Sequence, residues 1–333
     1  MELFGTSYLQ LQKHPEYLEI LTDNLRQHGV NNPISRNNLG HFEILESVET
    51  ELAKMWHCES ACLLANGFLA GQAIRMLANR LPHPSYVQSD GHPCYHGSVS
   101  ACSRSPDDSE PFSVILDAVD PFSGQAKWSC SESLETLSKA RVFAMDISHV
   151  FNVWTPSAIF ERLGLACDGR AVFFGSLAKA AAFPAGFVAG PRSIIEEIRK
   201  FPIYTASSAP ARYLAASYLD SDDLRSHLRD TLNQVMIQVF EGLGLECDAL
   251  SFPVCLIRSS PEISLQFFER KGMQISALSY PTPDAPVRIR CVLNAGLTFS
   301  DIETLIETLD DLIDRNPNPT AIEWAKTTSQ KIA

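Results

Sequence analysis

Short apolar runs recurring between stretches of helical spacing constrain this chain more than any other feature. The runs at residues 86–88, 113–116, 141–145, 171–174 and 187–189 are mostly unbroken by polar residues, as in strands covered on both faces. Residues 132–138 and 157–165 carry helical patterns between them. Earlier, residues 46–56 bring Val48, Leu52 and Met55 onto one helical face, and the run 61–65 stops at Asn66-Gly67 before helical spacing over 68–81. Such alternation predicts an α/β sandwich around a mainly parallel sheet. Past Ser193 the pattern changes. A helix to Lys200 and a long helix over 210–243, interrupted near Asp220-Ser221-Asp222-Asp223, precede strands at 252–257, 274–279 and 287–293 and helices at 262–271 and 301–313. This unit predicts a smaller C-terminal α+β domain. The boundary falls inside the long helix, giving domains 1–215 and 216–333.

Composition narrows the function classes. With 45% hydrophobic and 20% charged residues over 333 positions, the chain is globular and long enough for a large core. A formal net charge of −12 disfavours nucleic acid or an anionic membrane as partner. The nine cysteines form no C-x-x-C pair, and the nearest two, Cys58 and Cys62, lack partners for a zinc site. An odd number of scattered cysteines fits reduced thiols. No secretory signal opens the sequence and no apolar run reaches membrane-spanning length, so a soluble, cytoplasmic protein is expected.

A few residues stand out chemically. Lys179 follows the run 171–174 and stands alone in Ser176-Leu177-Ala178-Lys179-Ala180-Ala181-Ala182. Desolvation there lowers an amine's pKa toward a reactive form, although by itself the residue also reads as an exposed lysine after a strand. Asp146 ends the run 141–145, where α/β folds hold ligand-binding groups, with His149 three residues on; a cap or turn is the alternative. Asn66-Gly67-Phe68 opens a helix whose first amides and dipole suit an anion, or makes a plain turn. Arg288 and Arg290 share one face of a strand, and a guanidinium fork clamps carboxylates; a solvated edge strand is the other reading. Arg36 is a second candidate clamp.

Taken in chain order, these residues resemble the pyridoxal 5′-phosphate (PLP) enzymes of fold type I. Within them they look like the α-oxoamine synthases of the aminotransferase class I/II superfamily. Ser176, Lys179 and Gly186 match the lysine motif; Asp146 and His149 match its Asp-x-x-His; residues 64–70 match the phosphate turn; register through 292–296 matches the carboxylate arginine to Arg290. The resemblance spans almost the whole chain. It implies that Lys179 holds PLP as a Schiff base, that Asp146 pairs with the pyridine nitrogen and that His149 pairs with the ring hydroxyl. It further implies that Asn66, Gly67, Phe68 and Ser176 hold the phosphate and that Ser123 touches the cofactor. Thr205 matches a hydroxyl reaching a neighbouring subunit's phosphate in a homodimer, or makes a local turn. His92 or His96 stacks on the ring, with Cys94 a third choice.

The implied activity is condensation of an amino acid with an acyl-CoA. An aminotransferase is the main alternative, and a non-catalytic PLP-fold partner or regulator the lesser one. Three places depart from the resemblance: Ile147 where a second acidic residue is usual, Val150-Phe151-Asn152-Val153-Trp154 where glycines are usual, and Leu297 where a histidine is common.

Overall fold

Each apolar run of the first 190 residues becomes a strand. The computed structural model describes residues 1–32, 34, 36, 42–88, 91–95, 110–126, 135, 137–163, 169–248, 250–258, 260–280, 282–315 and 322–324. In chain order come β1 (Glu2–Leu3), α1 (Pro15–His28), α2 (Glu43–Met55), β2 (Ser60–Leu64), α3 (Gly67–Ala78), β3 (Ser85–Val87), β4 (Ser113–Asp117) and β5 (Val142–Asp146). They are followed by α4 (Pro156–Leu163), β6 (Ala171–Ser176), β7 (Gly186–Gly190), α5 (Arg192–Ile198), α6 (Pro202–Thr205), α7 (Arg212–Asp220) and α8 (Asp222–Gly242). The rest comprises β8 (Val254–Ile257), α9 (Pro261–Arg270), β9 (Gln274–Ser279), β10 (Val287–Val292), α10 (Phe299–Arg315) and β11 (Ile322–Trp324). The helix expected over 132–138 falls largely outside the described residues.

The larger sheet has the order β2-β7-β6-β5-β4-β3. Strands β3 to β6 are mutually parallel, and β7 runs against both of its neighbours. Successive side chains leave a strand on opposite faces. Phe143, Met145, Phe173 and Phe187 therefore join one core, while Ala144, Val172, Phe174 and Val188 join another beneath α3 and α5. Both faces are covered, which is why these strands read as unbroken apolar runs. Trp56, just past α2, lies 4.7 Å from Phe173, ring centre to ring centre. Burying each such aromatic contributes roughly 1.5–3 kcal/mol.

The smaller sheet, β1-β9-β10-β8-β11, is antiparallel except where β1 pairs with β9. The N-terminal dipeptide strand thus closes an edge of the C-terminal unit rather than of the large sheet. The interruption expected near residue 221 separates α7 from α8. Arg225 is buried there and donates to Ser221 Oγ (2.8 Å) and to the Tyr218 carbonyl. Among the described residues no helix is long and apolar enough to cross a membrane.

Candidate active site

Three parallel strands end side by side and carry functional groups at their C-terminal edge. Asp117 ends β4 and Asp146 ends β5, and the two are register partners. Ser176 ends β6 and pairs with Gly186, which in turn pairs with Leu64 at the end of β2. Two residues past Leu64, Asn66 caps α3, its side chain accepting from the Leu69 amide at 3.0 Å. The Gly67 and Phe68 amides at this helix start have no intrahelical acceptor. Glycine is demanded at both packed positions. A Cβ on Gly67 would lie 2.9 Å from Ser176 Cα, and one on Gly186 would lie 2.9 Å from the Gly67 nitrogen.

These ends surround a cavity of about 330 Å³ lined by Asn66, Gly67, Phe68, His92, Cys94, Asp117, Val119, Pro121, Asp146, Ser148, His149, Ser176, Lys179 and Tyr280. Lys179 enters it from the loop joining β6 to β7. That loop is tied by Leu177 N–H to the Ala185 carbonyl (2.9 Å) and by Phe183 N–H to the Leu177 carbonyl (3.1 Å). Leu177, Ala180, Ala181 and Phe183 are buried around it, so the small apolar residues flanking the lysine anchor its loop. Burial pushes the Lys179 amine below its ordinary range, against the pull of Asp146 and Asp117.

Asp146 accepts the Ser148 amide at 2.8 Å, and Ser148 Oγ accepts the Ser176 amide at 2.8 Å, which fastens the Asp-x-x-His turn to β6. His149 meets the Tyr8 hydroxyl through Nδ1 at 2.8 Å. Burial, with the charges of Lys179, Arg290 and His92, holds His149 well below the usual histidine pKa. His92 accepts the Cys94 amide on Nδ1 (3.1 Å), and its own amide donates to the Tyr95 hydroxyl (3.0 Å). Tyr95 in turn donates to Asp117.

The cavity brings together Asn66, Gly67, Phe68, His92, Asp146, His149, Ser176 and Lys179 from the residues singled out by sequence. His96 lies outside the described residues. Ser123 does not line the cavity: its hydroxyl and amide both donate to Asp120, at 3.2 and 2.8 Å. The Thr205 hydroxyl donates to the Phe201 carbonyl within its own short helix at 3.3 Å. Arg36 lines a separate cavity with Glu49, Arg199 and Tyr204, donating to the Leu63 carbonyl at 2.7 Å. Arg290 is buried beside the cavity, donating to the backbone carbonyls of Pro121 (2.8 Å) and Gly5 (3.0 Å). Among the described residues its Nε has no partner. Arg288 reaches Asp120 at 3.4 Å and covers the Phe122 ring.

Sequence reasoning missed Asp117, Tyr8, Tyr95, Ser148 and Tyr280. Asp117 carries the same signal that marked Asp146, a carboxylate directly after an apolar run. Tyr8 carries none, because its partner His149 lies 141 residues along the chain, and Tyr95 carries none for its bond to Asp117, 22 residues on.

A family model described as aminotransferase class I and II matches residues 138–309, over half of the chain. Among curated relatives, the 8-amino-7-oxononanoate synthase of Stutzerimonas stutzeri (strain A1501) is 28% identical, over 92% of this chain and 86% of that protein. The same-named protein of Pseudomonas putida (strain W619) is 27% identical over 92% and 86%. Among solved structures, Sphingomonas wittichii serine palmitoyltransferase superposes with a TM-score of 0.76 at 17% identity, covering 95% of this chain and 87% of that one. The 8-amino-7-oxononanoate synthase from Francisella tularensis gives 0.70 at 16% identity, covering 95% and 98%. At these identities the superpositions speak for the fold, which is PLP-dependent fold type I. The matched segment runs through Asp146, His149, Ser176, Lys179 and Arg290, and with it the chain belongs to the aminotransferase class I and II family.

Proposed function

We propose that this chain is a PLP-dependent transferase of the α-oxoamine synthase type, condensing an amino acid with an acyl-CoA and releasing the free thiol. One observation carries the proposal. The Lys179 amine shares a single cavity with Asp146, His149 and the α3 N-terminus, in a chain resembling 8-amino-7-oxononanoate synthases over 92% of its length.

The donor set fits PLP. An amine depressed by burial suits the aldehyde, and a strand-end carboxylate suits the pyridine nitrogen. The helix start, pressed against Ser176 by Gly67, offers backbone amides and a hydroxyl to a phosphate. Bound PLP supplies an electron sink for a carbanion at the amino acid's α-carbon.

The chain's own residues divide the remaining work. Lys179 takes and returns the α-proton, a base role that its lowered pKa favours. Asp146 keeps the ring nitrogen charged, and His149 donates to the ring oxygen. His92 covers the ring. Arg290 holds the amino acid's carboxylate with the guanidinium donors its two carbonyl partners leave over. Thr205 serves the phosphate of a second copy in a homodimer, and the enzyme works in the cytoplasm.

The test mixes the PLP-loaded protein with glycine, alanine or serine and a series of acyl-CoAs, and follows free thiol. Release of thiol that requires the amino acid is expected. Transfer of the amino group to a keto acid with no thiol released would overturn the proposal in favour of an aminotransferase.

A further inference from the structure

Tyr8 is fully buried, yet it lies in the N-terminal segment, 141 residues away in sequence from its hydrogen-bond partner. Its backbone is held by the C-terminal unit, the Ala295 amide donating to the Tyr8 carbonyl at 2.9 Å. Three residues earlier, Arg290 grips the Gly5 carbonyl at 3.0 Å. The Tyr8 ring meets Phe252 edge to face at 5.5 Å. Its hydroxyl therefore reaches the cavity wall from outside the parallel sheet and touches His149 Nδ1.

We propose that Tyr8 is a positioning residue acting through His149: its hydroxyl donates to Nδ1, fixing the imidazole as the Nε2–H tautomer and presenting that N–H to the cofactor's ring oxygen. The inference rests on the PLP assignment above. The direction of the bond follows from donor accounting. Burial keeps Tyr8 a neutral phenol, raised above its ordinary pKa, so its proton needs an acceptor. Among the described residues Nδ1 is the acceptor in reach. If Nδ1–H donated instead, the phenol proton would be left buried and unpaired, a costly state. Burial, and after it the charges of Lys179 and Arg290, oppose protonation of His149. A neutral imidazole carries one N–H, so engaging Nδ1 as acceptor leaves that N–H on Nε2.

The test reads the tautomer directly. Long-range proton–nitrogen correlation spectra of the full chain, labelled in histidine and free of cofactor, distinguish the two ring nitrogens. The signals of residue 149 are assigned by their loss in His149→Gln. The wild type is expected to show protonated Nε2 and bare Nδ1. Tyr8→Phe, which keeps the ring packing, is expected to lose this single tautomer and to bind PLP about three- to tenfold more weakly. A wild-type Nδ1–H tautomer or imidazolium overturns the inference without any variant. So does a Tyr8→Phe protein whose tautomer is unchanged. A wild-type chain that takes up no PLP overturns the functional assignment, and the donor role with it, even if the tautomer is as expected.

Discussion

The cavity has two kinds of wall. Along one, Asp117, Asp146 and Ser176 sit at the ends of adjacent parallel strands, and the sheet's hydrogen-bond ladder fixes their spacing. Along the other, Tyr280 lines the cavity while Tyr8 and Arg290 stand behind its lining, joined to it through His149 and Pro121; they arrive from the N-terminal segment and the smaller sheet, held by contacts between separate parts of the chain. The first wall is rigid because two cores cover it on both faces. The second is only as fixed as the contacts that carry it. Substitutions in the first should therefore change chemistry with little change in stability, whereas substitutions in the second should change binding and stability together.

Lys179→Ala gives the largest effect. The variant should lose covalent attachment of PLP, seen as loss of the visible absorbance of the purified protein. Turnover should fall by at least about 10²–10⁴-fold, the usual contribution of a positioned acid–base group. Its thermal midpoint without cofactor should stay close to wild type, because the loop is anchored by Leu177, Ala181 and Phe183 rather than by the lysine. Retained absorbance would remove Lys179 from the site.

Asp146→Asn comes next. Shape and the Ser148 contact survive while the charge is lost, so PLP should still bind and turnover should fall on the order of 10²–10³-fold, as when one preorganised electrostatic group is removed. Activity within a few-fold of wild type would make Asp146 a turn former and nothing more.

The contrast between the walls also explains what the sequence disclosed. Asp146 and the Asn66-Gly67-Phe68 turn were legible because each directly follows an apolar run, and a strand end in a parallel sheet is where ligands gather; Lys179 was legible as a lone amine among small apolar residues a few positions past such a run. Asp117 was legible by the same rule and was passed over. The second wall was legible only at Arg290. Two residues, Glu2 and Leu3, are too few for any periodicity, and their pairing with Gln274 and Ile275 exists only in three dimensions. The reversed direction of β7 leaves no mark in composition either, since a fully buried strand reads alike in both directions.

Arg290→Ala tests the second wall. The substitution removes the amino acid's carboxylate partner and leaves the Pro121 and Gly5 carbonyls without their donors. Amino-acid binding should weaken by about 2–5 kcal/mol, far more than PLP binding does. The cofactor-free protein should also unfold at lower temperature, by an amount reflecting roughly 1–3 kcal/mol for groups left buried and unpaired. Weakened binding with an unchanged thermal midpoint would show that the two walls do not differ in the way described.

The smallest expected effect is a pH dependence located in His149, where the two walls meet. Its folded pKa is depressed, chiefly by burial and further by Lys179, Arg290 and His92. A histidine depressed on folding binds fewer protons in the native state than in the unfolded chain, whose value lies near 6.5. Its contribution to stability is therefore fully present above about pH 6.5 and is lost as the pH falls below that value toward the folded pKa. The slope contributed by one group cannot exceed about 1.4 kcal/mol per pH unit, and partial solvent access reduces it. Denaturant titrations of cofactor-free protein at about pH 7 and about pH 5.5 should show this loss in the wild type. His149→Gln, which cannot titrate there, should show a shallower decline, the difference between the two slopes being the histidine's share. Tyr8→Phe should fall between them, because it keeps the burial and the charges of Lys179 and Arg290 while losing the hydroxyl that engages Nδ1. Equal slopes in wild type and His149→Gln would mean that the imidazole is as easily protonated in the fold as outside it, and the cavity would then lack the neutral donor that the second wall was argued to supply.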